Sequence, residues 1–291
     1  MVAAVVLLLV VAAIAVTLVG GAAQAFGVFG PSFLWSRAWD PVRSEFGALP
    51  SLLGTLISAV LALGLAVPVS VGIAVFLTEL APAWLARPAS TAVEVLAAIP
   101  SIIYGMWGLF VVAPLVADHL QPALTEYLGF LPLFRGPPMG IGMLTAALVL
   151  AVMVIPYISA VARDLFSMVP IPIKEAAVGV GATRWEVVRS VVLPYTRSGL
   201  IGAIVLGLGR ALGETMAATF VIGNSHHISA SLYAPSNTIA STLANEFTEA
   251  TDALHVSSLM ALALCLFLLT FLLLAFGRLL VLKSARRGMM A

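Results

Sequence analysis

Residues 46–78 carry no charged side chain. Inside that interval runs SLLGTLISAVLALGLAVPVSVGIAVFL (51–77), longer than the ~20 apolar residues needed to cross ~30 Å of hydrocarbon. Lipid offers no partner to a backbone N–H or C=O, so such a segment must be a helix. The pattern recurs at about 2–23, from near Thr91 to Asp118, at about 140–162, at 198–223 and at about 256–282. The chain is 62% hydrophobic and 9% charged over 291 residues, against roughly 25% charged in a soluble domain. The expected fold is all-α: a polytopic membrane protein with six transmembrane helices. The N-terminal MVAAVVLLLVVAAIAVTLVGGAA has no basic flank, and its apolar run exceeds the ~7–15 residues of a signal-peptide core. It reads as a retained first transmembrane helix. The single cysteine, Cys265, lies in an apolar run and reads as a packing residue, and no metal site or cofactor is expected.

Six spans put both termini on one side, and the basic residues choose which. Arg37, Arg43 and Arg135 fall on one side. Arg87, Arg163, Lys174, Arg184, Arg189, Arg197, Arg278, Lys283, Arg286 and Arg287 fall on the other, a ratio of ten to three with Arg210 inside a span. The richer side is expected to be cytoplasmic, with both termini there and KSARRG as a stop-transfer flank. The net charge of +1 says nothing about nucleic acid, and because KSARRG reads as a flank and not as a nucleic-acid patch, no nucleic-acid partner is expected.

The loop between the fourth and fifth spans is more structured than an idle connector. Pro170 and Pro172 suit a helix start, and Lys174–Val178 makes about one turn before Gly179 and Gly181. Thr183 with Glu186 three residues on forms a capping box. Trp185, Val188 and Val192 share an apolar face, and Pro194 is expected to end the helix. A helical elbow of this kind is a docking surface for another protein, or a helix lying on the lipid interface.

EAAVGVGATRWEVVRSVVLP (175–194) resembles the EAA motif of bacterial ABC importer permeases. Glu175, Ala176, Ala177, Gly181, Leu193 and Pro194 match, and Val191 stands where isoleucine is usual. WDPVRSEFGALPSLLGTL (39–56), AAIPSIIYGMWGLFVVAPL (97–115), GLGRALGETMA (207–217) and ISASLYAPSNTIASTLANEF (228–247) are similar to the PstC-type permease of the phosphate ABC importer. The resemblance implies a type I, MetI-like architecture. It divides the chain into 1–38, the first helix and the start of an outer loop, and 39–291, the importer transmembrane domain with a coupling elbow at about 173–193. It further implies a transport subunit and no enzyme, in the bacterial cytoplasmic (inner) membrane. The implied partners are a PstA-like sister permease, two ATPase subunits that bind the ATP, a phosphate-binding protein and inorganic phosphate. In it Glu175, Ala176, Ala177 and Gly181 seat the ATPase. Such permeases usually carry a cytoplasmic segment before the first helix, and two readings of this start stay open: a truncated start, or a true start further upstream.

Arg210 and Glu214 fall within the fifth interval. A charge at the bilayer centre costs roughly 2.5–3.5 kcal/mol on insertion scales and usually marks a substrate path. Four residues apart, the two share a helix face and are expected to pair. They read as a structural ion pair at a helix seam or as a cationic waypoint for an anion, and the resemblance favours the waypoint. Gly207, Gly209 and Gly213 are expected to leave one face bare for a helix or an anion. Ser225, His226 and His227 have no acidic partner nearby in sequence and read as a solvated loop. His119 and His255 read as interfacial, and Glu94 as a charge at a span end. Ile239, Leu243 and Phe247 are spaced like a helix face lying along the outer interface. Three rivals stay open: another oxyanion (sulfate, molybdate or phosphonate), a membrane hydrolase using Ser225 and His226, and an ATP-independent anion channel.

Overall fold

The computed structural model describes residues 2–288. Met1, residues 289–291 and the side chains of 284–288 lie outside the described set, so Arg286 and Arg287 of the basic tail do too. Six helical segments are long and apolar enough to cross a membrane: Val2–Leu34, Leu49–Leu80, Ser101–Leu128, Met143–Ser167, Arg184–Leu212 and Ala253–Lys283. They are numbered below as spans one to six.

Three of them differ from the expected intervals, the first because it runs on to Leu34 and does not end near residue 23. The third begins at Ser101, not near Thr91, and Ala83–Ala98 is a separate helix with no buried side chain. Ile99 between them is extended (ψ 130°), because the ring of Pro100 disfavours helical ψ in the residue before it. The fifth runs from Arg184 to Leu212, and residues Met216–Val221 form a short helix of their own. Pro194 does not end the elbow. The five-residue π-turn Val188–Val192 precedes it and the helix continues from Leu193. A wide turn is one way a helix accommodates a proline's ring and missing N–H.

The chain clusters into two compact units. The first comprises residues up to Ser58, Ser101–Val149 and Gly213–Phe271. Its core holds Ala22, Ala25, Phe33, Phe46, Ile239, Leu259 and Leu262, all at most 2% exposed. Ser257 ties the first span to the sixth: its hydroxyl accepts from the Ala25 N–H (2.9 Å) and donates to the Gly21 carbonyl (2.7 Å). The hydroxyl thus sits between the two groups that an α-helix would join directly. Gly54 faces the Asn237 backbone so closely that a Cβ there would lie 1.8 Å from its carbonyl oxygen. The two-residue strands Trp39–Asp40 and Glu45–Phe46 pair antiparallel and deliver Phe46 into the core. The helix Ile239–Glu246 does not lie flat on an interface: Ile239, Ala240, Ser241 and Thr242 are buried, and Thr238 with Ser241 makes its capping box.

The second unit comprises Ala59–Pro100, Leu150–Leu212 and the chain from Leu272. Small residues let its helices approach closely. A Cβ at Gly199 would meet Leu165 at 2.5 Å, one at Gly207 would meet Ile158 at 2.7 Å, and one at Gly277 would meet Val205 at 2.5 Å. Ser70 of span two donates to the Ile155 carbonyl (3.1 Å), beside Pro156 in span four. Ala74, Val75, Ala162, Phe166, Val187, Val188 and Val192 form its buried core. Val187, Val188 and Val192 are thus the apolar face of the elbow, and Trp185, expected on that face, is exposed.

Candidate functional site

Arg210 lies in the last turn of the helix Leu193–Leu212, not mid-span. There the negative end of the helix dipole favours a cation. Its guanidinium stands over the Tyr157 ring, 5.8 Å from the centroid. Among the described residues its Nε is a buried donor without a hydrogen-bond partner. The glycines beside it are not bare: Gly207 faces Ile158 of span four, and Gly209 faces Leu274 of span six.

The helix stops at Leu212, before Gly213, the residue type least suited to a helix interior after proline. Glu214 falls in the break and is not on a helix face shared with Arg210. Its Oε1 accepts from the Ala217 N–H (3.2 Å), one of the orphan donors at the start of Met216–Val221. The expected pairing is replaced by two local solutions, a cation at a helix end and a carboxylate capping the next helix. The short helix packs tightly in its own unit: a Cβ at Gly105 of span three would lie 2.8 Å from the Phe220 ring. An arginine is charged at every physiological pH, and one with an unsatisfied donor can accept an oxyanion.

At the elbow, Ile171–Gly179 is the first helix, longer than the single expected turn. It ends in a Schellman motif. The Ala182 N–H reaches the Ala177 carbonyl (3.0 Å) and the Gly181 N–H reaches that of Val178 (2.9 Å), with Gly181 at φ +95°. A residue with a Cβ resists that conformation. Thr183 then opens the second helix with its capping box: its hydroxyl accepts from the Glu186 N–H (3.3 Å), and the Glu186 carboxylate accepts from the Thr183 N–H (2.7 Å). Glu175 and Ala176 are exposed, and Ala177 is half-buried against the core below. Ile171, Val178, Val180 and Trp185 are exposed too. A cleft of about 400 Å³ opens between Glu79, Lys174, Glu175, Val178, Gly179, Arg184 and Val187.

Residues 48–286 match the family described as the binding-protein-dependent transport system inner membrane component. The chain is 56% identical over 283 residues to the phosphate transport system permease protein PstC of Pasteurella multocida, which covers 96% of this chain and 88% of that one. The chain belongs to the PstC family of inner-membrane transport components. PstC of Mesorhizobium japonicum is 52% identical over 291 residues (98% of this chain, 89% of the relative). PstC 1 of Mycobacterium tuberculosis is 41% identical over 252 residues (84% and 75%). Two solved transporters share the fold. The MetNI methionine ABC transporter, in inward-facing conformations, has a TM-score of 0.57 at 22% identity, covering 84% of this chain and 95% of that one. A bacterial alginate ABC transporter in complex with an alginate pentasaccharide-bound periplasmic protein has a TM-score of 0.59 at 15% identity, covering 88% and 84%.

One cluster in this PstC-family chain escaped the sequence reading. The Trp39 Nε1–H donates to both Glu246 oxygens (3.0 and 2.8 Å). His226 Nε2 lies 3.0 Å from one of those oxygens and His255 Nε2 lies 2.9 Å from the other. The Asn237 amide nitrogen lies 2.7 Å from His226 Nδ1, which leaves the His226 proton on Nε2, donating to Glu246. The Trp39 and His226 rings stack at 5.2 Å, and Phe46 and His255 at 5.1 Å. His226 is therefore no solvated loop residue, and His255, 8% exposed, is not interfacial. Burial opposes the Glu246 charge, but the hydrogen bonds from His226, Trp39 and His255 outweigh it and hold the carboxyl below its usual range. Likewise Glu94 is not a lone charge: Arg163 Nη1 lies 2.8 Å from its Oε1.

Proposed function

We propose that the chain is the transmembrane permease subunit of an ATP-driven phosphate importer and forms half of its translocation pathway by alternating access. One observation carries the reading: the 56% identity to a phosphate permease over nearly the whole of both chains. A PstA-like sister subunit supplies the other half, two ATPase subunits hydrolyse ATP, and a phosphate-binding protein delivers inorganic phosphate. The ten-to-three split of basic residues supports an orientation with both termini on the cytoplasmic side.

The elbow is the seat of the ATPase. Glu175, Ala176, Ala177 and Gly181 form its matching face, and the exposed Ile171, Val178, Val180 and Trp185 supply apolar area for a partner to cover. Its rigidity supports the role, since two capping motifs in succession fix the bend. Arg210 is the waypoint for phosphate. Its planar fork suits the oxyanion, and its unpartnered Nε–H is a donor with no competing acceptor. Glu214 maintains the helix break that puts Arg210 at a helix end.

Arg210→Gln should abolish phosphate uptake in proteoliposomes while the sister subunit and ATPase still copurify. Uptake at the normal rate would defeat the waypoint. Failure of the wild-type chain to bring down any ATPase would defeat the importer reading as a whole. Excess sulfate, molybdate or phosphonate should leave phosphate uptake unchanged, and competition by one of them would reassign the cargo.

A further inference from the structure

One side chain at the elbow reaches two other segments. Lys174 stands in the helix Ile171–Gly179, and its Nζ donates to Glu79 Oε1 at 2.6 Å. The same ammonium lies 3.5 Å from the Phe166 carbonyl. Glu79 belongs to the π-turn Phe76–Leu80 that closes span two, and Phe166 to the last turn of span four. The two charged side chains are only 20% and 13% exposed. Val75, Phe166, Val169, Val187 and Val188 of the same unit are packed together, and Val187 and Val178 line the cleft with the pair.

An exposed pair of this kind would contribute little. This one is largely withdrawn from water, so removing either partner strands the other charge against apolar side chains. The apolar packing is non-directional and would let the elbow slide over the span ends when pushed. A charge-assisted hydrogen bond is directional and fixes the register between the elbow and span two.

We propose that Lys174 and Glu79 form a tie that carries the movement of the elbow into span two, and that it stays closed throughout the transport cycle. The proposal rests on the elbow being the ATPase seat. Lys174 and Glu79 are positioning residues, distinct from the matching face at Glu175, Ala176, Ala177 and Gly181.

Three measurements on the assembled importer test it: ATPase copurification, phosphate uptake, and ATP hydrolysed per phosphate imported. In Lys174→Glu and in the near-isosteric Glu79→Gln, the ATPase should remain bound while uptake falls by about tenfold and the ATP cost per phosphate rises. The double reversal Glu79→Lys with Lys174→Glu should restore both readings. In a Cys265→Ala background, the reduced Glu79→Cys with Lys174→Cys protein should be as impaired as the single variants, and joining the two thiols with a short reducible bis-thiosulfonate should restore uptake. Normal uptake and stoichiometry in both single variants would overturn the tie. So would loss of the ATPase from them, which would make the pair part of the seat itself. Uptake that fails to rise on cross-linking would overturn its permanent closure. A wild-type chain that copurifies no ATPase would instead overturn the parent reading, and this proposal with it.

Discussion

The Arg210 guanidinium stands over the Tyr157 ring, 5.8 Å from its centroid. Tyr157 follows Pro156 in span four, and Arg210 lies in the last turn of the helix Leu193–Leu212. The aromatic face holds the cation while the buried Nε–H stays without a partner among the described residues, which is the donor the proposed waypoint offers an oxyanion. Such contacts contribute about 0.5–2 kcal/mol, or roughly two- to thirtyfold in an equilibrium. Tyr157→Leu should therefore lower phosphate uptake by a factor in that range, and Tyr157→Phe should stay near wild type because the ring is kept. Initial rates with radiolabelled phosphate decide the matter. A Phe variant as poor as the Leu variant would mean that the hydroxyl matters and the ring does not.

Gly179 and Gly181 look equivalent in EAAVGVG, but only Gly181 has a left-handed backbone, φ +95°. No atom would crowd a Cβ at either position, so the difference between them is conformational. Gly181→Ala should cost about 1–2 kcal/mol, loosen the Schellman turn and weaken retention of the ATPase. Gly179→Ala lies within the helix Ile171–Gly179 and should be neutral or gain roughly 0.5–1 kcal/mol. Pull-down yield of the ATPase after a graded salt wash separates the two, and equal losses would remove the turn as the explanation.

The six spans were legible because hydrocarbon tolerates so little else: 27 consecutive residues from Leu49 to Val75 form one helix with no charge among them. The bend at Thr183 was legible because a capping box is local, its two partners three residues apart. Boundaries set by the backbone were harder to read. Apolar residues continue across Pro100, so hydropathy carried the third span back through a real break. At Pro194 the proline marked an end that a π-turn had already absorbed. At Leu212 the break was hidden because Gly213 and Glu214 sit in an otherwise apolar run, and helical spacing then promised a pairing that only a continuous helix could make. The Glu246 cluster left no signal at all. Its members, Trp39, His226, Asn237, Glu246 and His255, come from separate stretches, and a carboxylate twenty residues from His226 cannot be recognised by spacing as its partner.

That carboxylate sets a pH dependence whose sign follows from its environment. Burial raises the pKa of Glu246, and the hydrogen bonds from His226, Trp39 and His255 more than reverse the effect, so it ends below the usual 4.5. A group with a depressed folded pKa stabilises the fold in full above its unfolded value, and that contribution is lost as pH falls through the folded value. From neutral pH down to about 4.5, Glu246 should therefore hold the first unit's cluster at constant strength, and acid below that should release it. Glu246→Gln keeps the size of the side chain but sets an amide N–H₂ where one oxygen faced two partners, Trp39 and a histidine, a loss of about 1–3 kcal/mol at neutral pH. Because Trp39 donates to this carboxylate, tryptophan fluorescence during thermal unfolding in detergent reports on the site. The gap in melting temperature between wild type and Glu246→Gln should be full from pH 7 down to about 4.5 and close as the pH drops further. A gap that stays constant into acid would mean that the negative charge of Glu246 does not hold the cluster together.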